Sequence, residues 1–176
     1  GTFQETLNTN GKAITIRGHV APDGRRLTTI DGGGSGPVFT SSQGESSTTV
    51  IKDLIIRGGG GSGFQIEDSS PSITGCWIID NTGSSGGGIN ATGSASVVSS
   101  CRIEYNEATE AGGGISSSNS TLLIKDCRII GNTAPQGTGI ATDGSAIPGV
   151  QDSNICGNPT PAGEEPKTLI DGDYED

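Results

Sequence analysis

A repeat of about 25 residues constrains the fold of this chain more than any other feature of its sequence. The stretch GGGIN at 86–90 returns as GGGIS at 112–116 and as GTGIA at 137–141, after steps of 26 and 25 residues. Self-similarity at a fixed period of about 20–50 residues is typical of solenoids, in which each unit buries its apolar face only against its neighbours. The sequence therefore predicts a stack of similar units.

Alignment on the glycines also aligns the apolar residues. The stretches 72–81, 97–106, 123–132 and 149–158 are four copies of one unit, and 50–59 is an earlier, looser copy. Three inward-facing columns are predicted, and they consist of Ile55, Ile78, Ile103, Ile129 and Ile155; of Val50, Ile73, Val98, Ile124 and Val150; and of Val38, Phe64, Ile89, Ile115 and Ile140.

The spacing within each unit indicates strands. Apolar residues recur every second position, as at Cys76 and Ile78, which is the period of a strand and not of a helix. The 31 glycines and the scarcity of aromatic residues, at 3%, favour short strands joined by tight bends. A unit of this length can form three strands and three bends, so we expect one turn of a three-sided coil, with like residues stacked about 4.8 Å apart.

The pattern C-x-I-x-x-N, followed after a gap by G-G-G-I, resembles the right-handed parallel β-helix repeats of secreted bacterial proteins, with a pectin-lyase-like fold. It is also similar to the repeats of polymorphic outer-membrane proteins, although Ile and Gly stand here where those repeats carry Phe and Ala. The resemblance covers about residues 12–158. It implies an all-β fold, a right-handed single-stranded parallel β-helix of about five to six three-sided coils. Residues 1–158 would form this domain, with its opening coil truncated, and 159–176 a proline-containing loop and acidic tail or cap.

Two polar columns are predicted to be structural ladders. The asparagine column is expected to cap a turn, each side chain bonding to backbone and to the next asparagine. The cysteine column is expected to be a buried ladder of small apolar side chains, with a disulfide between stacked neighbours left open. The ladder residues are Asn81, Asn106, Asn132, Asn158, Cys76, Cys101 and Cys127.

No catalytic or metal site is predicted from the sequence. His19 lies alone in a loop, and neither a C-x-x-C motif nor a histidine pair is present. The acidic residues of the coils do not stack into a cluster, so enzyme activity is uncertain and disfavoured. No cofactor is expected, apart from weak Ca²⁺ binding by the tail DGDYED at 171–176.

The charge balance limits the expected partners. The chain has 20 acidic and 10 basic residues and a net charge of −10, which disfavours nucleic acid because phosphate binding needs clustered Lys and Arg. No apolar run approaches the roughly 20 residues of a membrane-spanning helix, so no membrane insertion is expected.

One outward face is predicted to be a contact surface, because large aliphatic side chains and the single Trp replace the usual polar residues there. Such a face suits self-association, a glycan whose ring stacks on Trp77 while Arg102 and Arg128 meet its acidic groups, or cover by the missing opening coil, the tail or another domain. The predicted face consists of Leu54, Ile56, Trp77, Ile79, Arg102, Glu104, Arg128 and Ile130.

These observations favour a non-catalytic structural or binding module of an exported or cell-surface protein. It would contact itself as a homo-oligomer, a larger parent protein or a glycan through that lateral face. Two alternatives stay open: a polysaccharide-acting enzyme (lyase, hydrolase or epimerase) or a fragment of one, and a segment of a phage or surface spike, which requires trimerisation.

Overall fold

A computed structural model describes residues 1–143 and 147–159. The chain there forms short strands, arranged in three long sheets and one short ribbon. Sheet A has seven strands, β1 (Thr2–Gln4), β4 (Thr29–Asp31), β7 (Ile55–Arg57), β10 (Trp77–Ile79), β14 (Arg102–Glu104), β18 (Arg128–Ile130) and β21 (Asn154–Cys156). Sheet B has six strands, β2 (Leu7–Asn8), β5 (Phe39–Ser41), β8 (Phe64–Glu67), β12 (Ile89–Thr92), β16 (Ile115–Ser118) and β19 (Ile140–Asp143).

Sheet C and the ribbon complete each turn of the coil. Sheet C has six strands, β3 (Thr15–Arg17), β6 (Val50–Lys52), β9 (Ser72–Thr74), β13 (Val97–Ser99), β17 (Leu123–Lys125) and β20 (Gly149–Gln151). The ribbon consists of β11 (Thr82–Ser85) and β15 (Glu107–Ala111). All strand pairs are parallel and join neighbouring coils, for example β10 with β14 and β14 with β18. The predicted all-β parallel solenoid of five to six coils is therefore confirmed.

Sharp corners follow from residues in the left-handed region of the backbone. After the strands of sheet C, this position has φ between 46° and 64°, and it is occupied by Asp53, Gly75, Ser100, Asp126 and Asp152. Asp and Gly adopt this conformation more readily than most residues, because Gly lacks a Cβ and Asp can bond locally to the backbone. One such residue turns the chain from sheet C towards sheet A within two residues. No helix in the described ranges is long and apolar enough to span a bilayer.

The register of the second coil differs from the one predicted. Ile56, not Ile55, lies beside Ile78, and Ile51, not Val50, lies beside Ile73. In the third predicted column, Phe39 and not Val38 pairs with Phe64. The predicted positions were wrong by one residue because adjacent apolar residues made the pattern ambiguous there. A slip of one residue exchanges the inner and outer faces of a strand.

The glycine triplets occupy the corner that leads into sheet B. Gly86 opens this corner with φ 62°, and a Cβ on Gly88 would lie 2.5 Å from the carbonyl oxygen of Gly114 and 2.9 Å from Ile103 Cγ2. The first glycine therefore supplies a left-handed turn, and the third lets two coils approach closely. We call the segment from the asparagine column to these glycines the asparagine corner.

A different arrangement closes the corner between sheets B and C, which we call the serine corner. In the later coils it is lined by hydroxyls, with the backbone N–H of Ser94 donating to Ser120 Oγ at 2.9 Å. In the early coils Glu45, 3% exposed, accepts hydrogen bonds from the hydroxyls of Thr9 and Ser69. The backbone N–H groups of Gly11 and Gln43 also donate to it, at 2.8 and 2.9 Å. One carboxylate therefore joins three successive coils.

Candidate functional site

The outward face of sheet A differs in composition from the face predicted. Leu54 and Ile56 were expected on it, but they are 1% and 0% exposed and belong to the core. Leu54 follows the left-handed Asp53 as Cys76 follows Gly75, so it lies inside the coil like the cysteines. Ile55 and Arg57 occupy the outward positions of that strand instead.

Two outward columns remain on this face, and we call them together the lateral face. One column places Ile55, Trp77, Arg102 and Arg128 side by side on successive strands. The other holds the remaining predicted residues, Ile79, Glu104 and Ile130, which are all half-buried. One column therefore changes from apolar side chains to arginines along the axis, while in the other Glu104 lies between two isoleucines.

Trp77 is held between two arginines. The guanidinium carbon of Arg102 lies 4.8 Å from the centre of the Trp77 ring, and that of Arg26 lies 5.9 Å away. Arg26 belongs to the loop between β3 and β4, and its Nε donates to the carbonyl oxygen of Gly75 at 2.7 Å. The loop therefore covers one edge of Trp77 and leaves a small pocket of about 260 Å³ beside the ring. A loop of the coil itself thus covers part of the lateral face, whereas cover by a missing coil, the tail or another domain stays a prediction.

The charges of this face are unequally paired. Arg128 Nε lies 3.0 Å from Glu104 Oε1, although its N–H does not point at that oxygen well enough for a hydrogen bond. Asp53 lies between two arginines, with its Oδ2 3.3 Å from Arg17 Nε and its Oδ1 3.8 Å from Arg26 Nη2. Within residues 1–143 and 147–159, Arg102 forms no ion pair, and its guanidinium group lies over the Trp77 ring. A cation–π contact of this type contributes about 0.5–1 kcal/mol.

The asparagines form the ladder that the repeat predicts. The backbone N–H and Nδ2 of Asn81 both donate to Asn106 Oδ1, at 3.1 and 3.0 Å. Asn106 donates in the same way to Asn132, and Asn132 to Asn158. Each Nδ2 also bonds a backbone carbonyl, as Asn106 does with Ile78 at 2.9 Å. The amide groups of these side chains are hydrogen-bonded to the backbone and to one another, so they are not available to a ligand.

The cysteines stack inside the coil with free thiols. Cys76, Cys101 and Cys127 are buried, while Cys156 is half-buried beside Ile130. Burial, together with hydrogen bonds to Cys127 and Cys76, raises the pKa of Cys101 well above its ordinary value. Among the described residues no group of three or more His, Cys, Asp or Glu is placed to hold a metal ion. The tail predicted to bind Ca²⁺ weakly lies outside those residues.

The sequence did not reveal a groove that the ribbon of the asparagine corner forms with sheet B. The groove has a volume of about 760 Å³ and runs between the outward face of sheet B and the ribbon. Bridges from Glu107 to Thr133 and from Ala111 to Gln136 continue the ribbon into the next coil. The stretch TGSS at 82–85 lacks the apolar alternation of a strand, so the wall of this groove left no signal in the sequence.

Comparison with known proteins identifies the fold family. A family model described as a right handed beta helix region matches residues 28–164, which is most of the chain. Searches among curated proteins and among solved structures give no significant match. The family match agrees with the stacked parallel sheets, and it confirms the predicted handedness. The chain therefore belongs to the right-handed β-helix family.

Proposed function

We propose that this β-helix is a non-catalytic structural or binding module of an exported or cell-surface protein, and that it contacts a second copy or a partner through the lateral face. The observation that carries the proposal is the row Ile55, Trp77, Arg102 and Arg128 on four adjacent strands. Trp and Arg are the residues most enriched at the energetic centres of protein interfaces.

The rigidity of this surface supports a role in contact. Each strand of the lateral face is fixed by parallel pairing on both sides, and the residues between the outward positions are buried, as for Ile78 and Ile103. A face that is already ordered loses little conformational entropy on association. Arg102, which has no carboxylate partner in the described part of the chain, adds a preference for an acidic group on the partner.

The apolar part of the face is smaller than the sequence suggested. Without Leu54 and Ile56, the aliphatic side chains are Ile55, Ile79 and Ile130, all of them half-buried. Such a mixture of apolar and charged groups resembles a contact between folded surfaces more than a permanent hydrophobic interface. We therefore expect a dimer or trimer that dissociates on dilution.

Light scattering coupled to size exclusion tests this proposal. We expect the native chain to be a dimer or trimer, and Trp77→Asp and Ile79→Asp to be folded monomers, because each buries a charge at the centre of the contact. Val97→Asp makes the same kind of change at a half-buried outward position of sheet C and should keep the native mass. A trimer would favour the spike alternative over a dimeric module.

A monomeric native chain would overturn self-association. The lateral face would then be tested as a partner surface by a glycan-binding screen, with Trp77 fluorescence as the readout. An acidic glycan that quenches Trp77 in the native chain, and binds Arg102→Ala more weakly, would retain the binding role. No response from either experiment would remove the lateral face as a functional surface.

A further inference from the structure

The small pocket beside Trp77 concentrates positive charge on a molecule that is acidic overall. Three arginines and one aspartate line it, namely Arg25, Arg26, Arg102 and Asp23, whereas the whole chain has a net charge of −10. A concave site lined mainly by one sign of charge attracts the opposite sign more strongly than a flat surface does. An acidic group is therefore the ligand that this pocket suits.

Arg102 has unused donors in the part of the chain that the structure describes. Arg26 is fixed by its loop, because its Nε and Nη1 donate to the carbonyl oxygens of Gly75 and Gly24 at 2.7 and 2.8 Å. Within residues 1–143 and 147–159, the guanidinium of Arg102 forms neither an ion pair nor a hydrogen bond and lies 4.8 Å from the centre of the Trp77 ring. A guanidinium presents its N–H donors in a planar fork that matches a carboxylate. A carboxylate can therefore bind Arg102 without displacing a bond of the described chain.

The C-terminal segment 164–176 is a strongly acidic stretch of the sequence that lies outside the described residues. It contains six acidic residues and one basic residue. The acidic residues are Glu164, Glu165, Asp171, Asp173, Glu175 and Asp176, and the basic residue is Lys167. Its charge is complementary to that of the pocket beside Trp77.

The described chain ends within reach of this pocket. Residue 159 follows β21, which lies three strands from β10 in sheet A. Three strand steps and the width of the sheet together amount to about 20 Å. The connecting stretch 160–170 can span up to about 35 Å when it is extended. The acidic end can therefore reach Trp77 of its own molecule across the lateral face.

We propose that the segment 164–176 docks on the pocket beside Trp77 within its own molecule, with a carboxylate of DGDYED against Arg102. A segment tethered by a short connection acts at an effective concentration that reaches about millimolar, so it needs only the weak contacts that exposed ion pairs provide. The docked segment lies across the lateral face and competes there with a second copy or a partner. This competition rests on the proposed function, whereas the docking does not.

Acrylamide quenching of Trp77, the single tryptophan, tests the docking on the full chain. Neutralising the segment should raise the quenching constant about twofold because the ring loses its cover, and about 0.5 M NaCl should do the same to the native chain because it screens exposed ion pairs. The neutralised chain carries Asp171→Asn, Asp173→Asn, Glu175→Gln and Asp176→Asn. A matched control should behave like the native chain, and it removes four exposed carboxylates from other faces by Glu67→Gln, Asp68→Asn, Glu107→Gln and Glu110→Gln.

Arg102→Gln locates the contact. In this background, neutralising the segment should change the quenching constant no further, because both changes remove the same interaction. The docking is overturned if neutralisation leaves quenching unchanged, or if its effect persists in full in Arg102→Gln. It is also overturned if the effect grows with protein concentration, which would place the segment on a second copy.

Light scattering then measures the competition. A partner that must displace the segment binds with an affinity reduced by the fraction of molecules in which the site is open. We expect the neutralised chain to dissociate at about fivefold to tenfold lower concentration than the native chain, which corresponds to an open fraction of about 10–20%. The matched control loses the same charge and should dissociate like the native chain.

Equal dissociation of the neutralised and native chains would overturn the competition. If both chains are monomeric and the difference in quenching remains, self-association through the lateral face fails and the docking stands. The two proposals can therefore fail independently.

Discussion

The asparagine corner and the serine corner both supply hydrogen-bond partners to buried backbone groups at a bend. They do so with side chains of different chemistry. An amide both donates and accepts, so Asn81 can bond Asn106 and the pattern can repeat through Asn158. A carboxylate only accepts, so it cannot stack on another of its kind. Glu45 accordingly occurs once, and the neighbouring coils meet it with Thr9 and Ser69. A ladder thus requires a side chain that complements itself.

This difference predicts that the asparagine corner depends most on single side chains. Asn106→Ala removes the acceptor of the Asn81 N–H and the Nδ2 donor to the carbonyl of Ile78, while Asn81 Nδ2 keeps the carbonyl of Ile56 as an acceptor. Each buried group left unsatisfied costs about 1–3 kcal/mol, so we expect a loss of about 4 kcal/mol in the free energy of unfolding. Urea denaturation followed by circular dichroism measures it.

Asn90→Ala is the matched control, because this half-buried asparagine bonds only the side chain of Gln65. It should change the free energy of unfolding by less than about 0.5 kcal/mol. Equal effects from the two variants would show that the ladder bonds add nothing beyond those of a surface asparagine.

Close packing at the same corner should be nearly as sensitive. In Gly114→Ala the new Cβ would lie 2.5 Å from the carbonyl oxygen of Gly139, so the two coils must separate. We expect a loss of about 3 kcal/mol, measured by thermal unfolding. Gly149→Ala adds the same methyl group with its nearest contact at 3.6 Å and should be close to neutral. A small loss for Gly114→Ala would mean that the coils are less tightly apposed than the structure indicates.

The serine corner should differ from the asparagine corner in its response to acid. Burial acts to raise the pKa of Glu45, but hydrogen bonds from Thr9, Gln43 and Gly11 outweigh it and lower the pKa from 4.5 to about 2. Because the folded pKa is the lower one, this stabilisation is present above pH 4.5 and is lost as the pH falls towards 2. The shift corresponds to about 3 kcal/mol as an upper limit.

Glu45→Gln should therefore lower the free energy of unfolding by about 2 kcal/mol at neutral pH, because an amide cannot accept at both ends. The difference from the native chain should shrink as the pH is lowered through 4.5. Urea denaturation at several pH values measures this, and Glu67→Gln, at an exposed position, serves as the control. A difference that stays constant with pH would show that Glu45 titrates normally in the folded chain.

The regular coils were predictable and the irregular features were not. Cysteine and asparagine columns recur at nearly constant steps, so their inward positions followed from the repeat alone. The second coil was ambiguous, since either Ile55 or Ile56 fits the apolar pattern, and only the left-handed corner at Asp53 decides between them. Glu45 has no counterpart in the later coils, and its bonds to residues of other coils leave no local trace in the sequence.

The features of the outer surface were less predictable still. The outward direction of Trp77, Arg102 and Arg128 followed from strand alternation. The loop that brings Arg26 to Trp77 is not part of the repeat, and its path depends on tertiary contacts. The groove depends on the ribbon, whose small and polar residues form a strand only because the neighbouring coil pairs with it.

The loop between β3 and β4 also bears on how such a chain accommodates insertions and deletions. Later coils pass from sheet C to sheet A through two residues, such as Gly75 and Cys76, whereas the first coil uses residues 18–28 for the same step. The strands on either side keep their register, with Arg17 beside Lys52 and Thr29 beside Ile55. The number of residues in this loop can therefore change without altering which strand residues face inward. One residue added within a strand would instead exchange its inward and outward side chains. An insertion at this corner would therefore change the surroundings of Trp77 without changing the register of the coils.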